Sequence, residues 1–197
     1  MNTMPQIKRE SLMTLEAYAK ARKAFRAKVI EHKKRRTLHL GNHITLLFED
    51  ELTIRYQVQE MLRIERIFEE EGIEDELSAY NPLVPDGMNL KATLLIEYED
   101  IAERSRMLAQ LKGIEDKIWL QAAGRTPVFA IADEDLEREN DDKTASVHFL
   151  RFEFTKAMIE TLKNGADIAA GCDHPNYRVK LAEISPITRE ALITDFA

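Results

Sequence analysis

The sequence predicts an α+β fold with a mainly antiparallel sheet of short strands and five or six helices. Three observations lead there. Strand-like runs come in hairpin pairs around short turns more often than in strand–helix–strand alternation. The helical runs between them carry start and stop residues of their own. The 197 residues suit a single domain over 1–197, long enough to bury a core without staples.

In chain order, Thr14 to Arg35 reads as an amphipathic helix, with Leu15, Tyr18, Phe25 and Val29 in one stripe and Arg22 between them. Lys33, Lys34, Arg35 and Arg36 close it, as cations favour a helix C-terminus. Arg36–Leu40 and Ile44–Phe48 form a hairpin around Gly41-Asn42. His39 and His43 flank that turn; two imidazoles are an incomplete metal site, so they read as ordinary turn residues.

A long helix is expected over Glu51–Glu71, its stripe made by Ile54, Val58, Met61 and Phe68 with help from Leu62 and Ile64. Gly72 caps it and a short helix Glu74–Tyr80 follows, stopped by Asn81-Pro82. Leu90–Tyr98 alternates as a strand with one face in the core: Leu90, Ala92, Leu94, Ile96 and Tyr98. Asp100, with Glu103 in a capping box, starts a helix to Lys112 that Gly113 ends.

Lys117–Ala123 and Pro127–Ala132 make a second hairpin, and Ser146–Phe154 another strand. Thr155 caps a helix to Asn164, with Gly165 beyond it. Strands Asp167–Gly171 and Arg178–Ile184 flank a Cys172-Asp173-His174-Pro175 turn. Ser185-Pro186 starts the last helix, to Asp195.

Several function classes are excluded. No two of the seven glycines lie closer than six apart, so neither a dinucleotide fingerprint nor a phosphate loop exists. No His has a Glu three residues before it, which removes a ferritin-like di-iron pair. One cysteine forbids a C-x-x-C motif or an internal disulfide. No metal or cofactor is expected. The longest apolar run is about five residues, so no membrane span is expected, and the location predicted is cytoplasmic.

Charge is unevenly placed. Residues 1–36 carry eleven Lys or Arg against three Asp or Glu, while the whole chain is −7. The segment 133–143 holds seven acids and two bases and reads as a solvated acidic loop. An acidic chain with a basic N-terminal helix (14–35) is suited to docking on its own body or on an acidic partner rather than on nucleic acid.

Two segments concentrate polar chemistry. One is the helix face Gln59, Glu60, Arg63 and Arg66. The other is the run Gly171 to Arg178, where Cys172 and His174 start a metal site or a nucleophile–base pair that lacks a third group. Both also admit plain structural roles: an ion-paired face, and a turn whose Asp and His satisfy backbone groups.

The runs LEAYAKARKAFRAKVIEHKKRR, GNHITLLFED, QVQEMLRIERI, YNPLVP and GADIAAGCDHPNYR resemble, in this order and over nearly the whole chain, a bacterial domain-of-unknown-function family. The resemblance places Gln59, Glu60, Met61, Arg63, Glu65 and Arg66 in one motif and Asp173, His174, Pro175 and Tyr177 in another. It gives the Cys172 position as usually apolar, which turns attention to Asp173, His174, Tyr177 and the polar helix. Genes of that family often lie beside those of rubrerythrin and iron–sulfur reductase-like proteins. The resemblance therefore implies a non-catalytic accessory or partner protein in a redox or oxidative-stress system. The alternative is a small-molecule-binding domain or enzyme whose Asp-His-Pro turn lies near the Gln/Glu/Arg helix face. A third reading is a homodimer with the long helix as its interface.

Overall fold

The computed structural model describes residues 6–132 and 143–197. The acidic segment 133–143 therefore lies outside the described residues, apart from Lys143. The order is α1 (Leu15–Lys34), β1 (Thr37–Leu40), β2 (Ile44–Glu49), α2 (Glu51–Glu65), α3 (Glu70–Tyr80), β3 (Asn89–Ile96), α4 (Ile101–Gln110), β4 (Ile118–Ala122), β5 (Val128–Phe129), β6 (Val147–Glu153), α5 (Lys156–Lys163), β7 (Ile168–His174), β8 (Tyr177–Leu181) and α6 (Pro186–Ile193). Among the described residues these form two four-stranded antiparallel sheets, β1-β2-β3-β6 and β5-β4-β7-β8, so the α+β prediction holds.

The cap residues act as their chemistry requires. Thr14, Asp100, Thr155 and Ser185 each accept a hydrogen bond from the backbone N–H three residues on, satisfying one of the donors a helix start leaves open. Asp50 does the same for α2, with Thr53 bonding back to the Asp50 N–H.

The two sheets pack face to face over one apolar layer. Phe48, Leu94 and Phe152 from the first sheet and Leu120, Ile168 and Ala170 from the second are 2% exposed or less. The sheets also meet at their edges. Ile131 exchanges two backbone hydrogen bonds with Arg151 of β6, carrying the β5 side onto the first sheet. At the other edge the Tyr177 hydroxyl donates to the Leu40 carbonyl at 2.7 Å and accepts from the His43 N–H at 3.1 Å. Gly41 makes that seam possible. Its φ is +70°, and a Cβ there would sit 2.6 Å from the Tyr177 hydroxyl.

The outer face of the first sheet is covered by helices. Ile54, Val58 and Leu62 of α2 and Ile73 and Leu77 of α3 form a second apolar cluster, against which Phe149 of β6 packs. The strand expected over Leu90–Tyr98 with one face in the core runs from Asn89 to Ile96 and buries both faces, including Lys91 and Thr93. The helix layer shields the second face, so its polar groups pair internally: Thr93 donates to Glu49 Oε1 at 2.7 Å, and Gln57 reaches the same oxygen at 3.4 Å. In β6, His148, Leu150 and Phe152 point to the core between the sheets, while Phe149 faces the helices.

Three expected elements are corrected. The helix predicted over Glu51–Glu71 ends at Glu65, because Arg66 adopts φ 55°, a left-handed conformation, and the Leu62 carbonyl accepts from the N–H groups of both Arg66 and Ile67. The break turns Ile67 back onto Leu62 and Ile73 and leaves Phe68 70% exposed instead of on the core stripe. Gly72 caps nothing; it lies inside α3, where a Cβ would come 2.8 Å from Ile67 Cγ2. Cys172, Asp173 and His174 are strand residues, because the ladder to β8 runs on to the His174–Tyr177 pair and leaves only Pro175-Asn176 in the turn. Arg36, read as one of four cations closing the first helix, is 1% exposed.

Candidate functional site

The polar helix face forms a cluster between α1 and α2. Glu60 on α2 accepts from Arg22 Nε at 2.7 Å and Nη2 at 2.8 Å, from the Tyr18 hydroxyl at 2.6 Å and from Arg63 at 3.3 Å. The two-pronged Arg22 contact, joined by Tyr18 and Arg63, holds the Glu60 carboxyl down at about 2. Burial, with the bond to Glu60, pushes the Tyr18 phenol up. Gln59 is 1% exposed; its amide clamps the Met13 backbone, accepting from N–H at 2.7 Å and donating to C=O at 3.4 Å. Arg66 is the exposed residue that ends α2. This cluster fastens α1 and the N-terminal segment to α2.

The other predicted segment is equally committed. His174 is 6% exposed, donates from Nε2 to the Lys112 carbonyl at 3.0 Å and accepts the Asn176 N–H on Nδ1 at 3.2 Å, so both ring nitrogens are used. Tyr177 closes the seam described above. Asp173 is exposed on the β7–β8 pair. Cys172 is fully buried between the sheets, and burial pushes its thiol up, the opposite of what a nucleophile needs. The structure does not bring the two segments together. Glu60 lies in the helix layer and His174 on the second sheet, with the first sheet between them.

A third cluster escaped the sequence reading. The Arg36 guanidinium donates to the carbonyls of Phe48 (3.0 Å), Glu49 (3.2 Å) and Ala191 (3.1 Å) and to the Asp195 carboxylate. Asp50 lies 3.5 Å from Arg36 and 2.5 Å from His32 Nε2. Burial pushes Asp195 up to about 6 although Arg36 pulls the other way. For Asp50, burial is outweighed by Arg36, the Thr53 N–H and His32, which together hold it below the usual carboxylate range. The cluster ties the β1–β2 hairpin, α2 and α6 into one unit. Its signal was masked because Arg36 follows three other basic residues.

Another group of polar side chains lines a groove of about 730 Å³ beside the β1–β2 turn. It is lined by His39, His43, Thr45, Glu97, Tyr98 and Arg104, among others. His39 Nδ1 is 3.0 Å from the Thr45 hydroxyl, which donates to Glu97 Oε2 at 2.5 Å. His43 Nδ1 lies 2.9 Å from the Glu97 carbonyl, and its ring stacks on Tyr98 at 4.0 Å. Burial pushes the Tyr98 phenol up. The two histidines were legible as turn neighbours; Glu97 joins them only through the pairing of β2 with β3.

Among the described residues, no group of three or more His, Cys, Asp and Glu side chains is arranged to hold a metal ion. None of the described helices is long and apolar enough to cross a membrane. A crystal structure of a protein of unknown function from Burkholderia pseudomallei K96243 is similar over 98% of this chain and 100% of its own, at 57% identity and a TM-score of 0.92. No curated protein matches the chain. The family described as protein of unknown function DUF3501 matches residues 6–196, and the chain belongs to that family.

Proposed function

We propose that this protein is an accessory protein that acts by docking on an acidic partner, a redox protein of the rubrerythrin or iron–sulfur reductase type. The observation that carries this reading is the outer face of α1. Of its 20 residues only Tyr18 and Val29 are buried. Lys23, Arg26 and Lys28 are exposed there and make no ion pair with a described residue. Ala19, Ala27 and Ile30 lie exposed among them, so the face offers apolar area inside a basic field. A basic patch of this kind steers an acidic surface into register and sets its on-rate. The rest of the chain is acidic, which disfavours a polyphosphate ligand.

The reading of an enzyme or small-molecule site spanning Gln59, Glu60, Arg63, Arg66, Asp173, His174 and Tyr177 needs those residues to meet, and the first sheet stands between them.

The test is capture of purified rubrerythrin or the iron–sulfur protein by the full chain, under native and reducing conditions. A complex weakened by salt and by a Lys23→Glu/Arg26→Glu/Lys28→Glu variant is expected. Absence of any complex, or a DNA or RNA shift at low salt in its place, would overturn the proposal.

A further inference from the structure

The groove at the β1–β2 turn holds two imidazoles in an arrangement that the docking face does not involve. In the hairpin ladder His39 stands opposite Thr45; His43, two residues before Thr45, is the turn residue just beyond the last pair, Leu40–Ile44, in the position of a diagonal neighbour. Such neighbours are about 7–8 Å apart along the backbone, within reach of two imidazoles sharing one ion. Glu97 continues the row: its N–H donates to the His43 carbonyl at 2.8 Å.

Hydrogen bonding fixes both rings in the same tautomer. A carbonyl only accepts, so the contact from His43 to the Glu97 carbonyl places the proton on His43 Nδ1. The single Thr45 proton goes to Glu97, so Thr45 receives the Nδ1–H of His39. Each neutral ring therefore carries its lone pair on Nε2, and neither Nε2 has a hydrogen-bond partner among the described residues. A ring anchored through its far N–H with the other nitrogen bare is how proteins present imidazole to a metal. Stacking on Tyr98, with the ring planes 11° apart, further holds His43. Glu97, Glu99 and Glu103 line the same groove against one arginine, Arg104, which favours a cation there.

We propose that His39 and His43 bind one divalent transition cation of the zinc class through their Nε2 atoms. Among the described residues no third donor stands with them, so water fills the remaining positions. The site is therefore open and exchanges its ion faster than a centre built from four protein ligands. Thr45 is a positioning residue, holding the His39 tautomer.

The experiment titrates zinc into the tag-free full chain, with a chromophoric chelator as competitor, and follows the imidazole nitrogens by NMR. One ion per chain and movement of the His39 and His43 Nε2 resonances alone are expected. His39→Gln and His43→Gln should each weaken binding by at least about tenfold, and Thr45→Val by about tenfold, with no change elsewhere in the spectrum. No binding at millimolar zinc would overturn the proposal, as would affinity unchanged in the double His variant. If a variant melts early, the wild-type resonances decide: Nε2 shifts confined to these two rings support the site, and shifts absent from them refute it.

Discussion

Replacing Glu60 by Gln tests whether the α1–α2 cluster is held by charge. Gln is nearly isosteric and still accepts a bond from Tyr18 and one from Arg22, so packing is preserved while the anion is lost. A carboxyl held at about 2 instead of 4.5 corresponds to at most about 3 kcal/mol, at ~1.4 kcal/mol per tenfold change in proton affinity. Water reaches the pair, since the Arg22 side chain is 36% exposed, so about 1–2 kcal/mol is the expected loss at pH 7. For a chain of this length that is a fall of about 2–8 °C in Tm. The sign follows from the depressed carboxyl: its contribution is complete above about pH 4.5 and disappears as pH falls toward 2. Denaturant melts of both proteins at intervals from pH 7 to pH 2 provide the assay. The two stabilities should converge at the acid end. A gap that stays constant across the range would refute the charge argument and point to packing.

Three further outcomes are expected. Asp195→Asn keeps an acceptor for Arg36 but removes a carboxyl raised to about 6; the wild type should gain stability as pH falls from 7 toward 4, and the variant should lack that rise in the same melts. Gly171→Ala brings a Cβ to 2.4 Å from the Trp119 ring and 2.6 Å from the Val179 carbonyl, so a loss of about 1–3 kcal/mol and a shifted tryptophan emission are expected. Cys172, buried with its thiol pushed up, should resist iodoacetamide in the native state and react fully once unfolded; native labelling at an ordinary free-thiol rate would contradict the burial.

Local chemistry fixed what depends on neighbours in the chain. Thr14, Asp100, Thr155 and Ser185-Pro186 start helices because their side chains reach an N–H three residues away, and Gly41-Asn42 turns a hairpin whatever surrounds it. The polar helix face and the Asp-His-Pro run were visible as residues. Their work was not, because groups distant in sequence engage Gln59, His174 and Tyr177: Met13, Lys112 and Leu40 respectively. The end of α2 at Arg66 was hidden for a related reason. No glycine marks it, and it is stabilised by the return of Ile67 to an apolar cluster that forms only when α2 and α3 pack.

Tertiary structure alone decided which charges are buried. Arg36 is indistinguishable from Lys33, Lys34 and Arg35 in the chain, yet it becomes a core residue because three backbone carbonyls and Asp195 converge on it from β2 and the C-terminal helix region. The same holds for the groove. Periodicity places His39 and His43 on one hairpin, but the strand that supplies Glu97, and with it the proton positions on both rings, joins them only when residues more than fifty apart pair in the sheet. Sequence determines the caps, turns and apolar faces because those energies act over three or four residues. Long-range pairing determines the chemistry because a side chain's protonation and exposure are set by whatever packs against it.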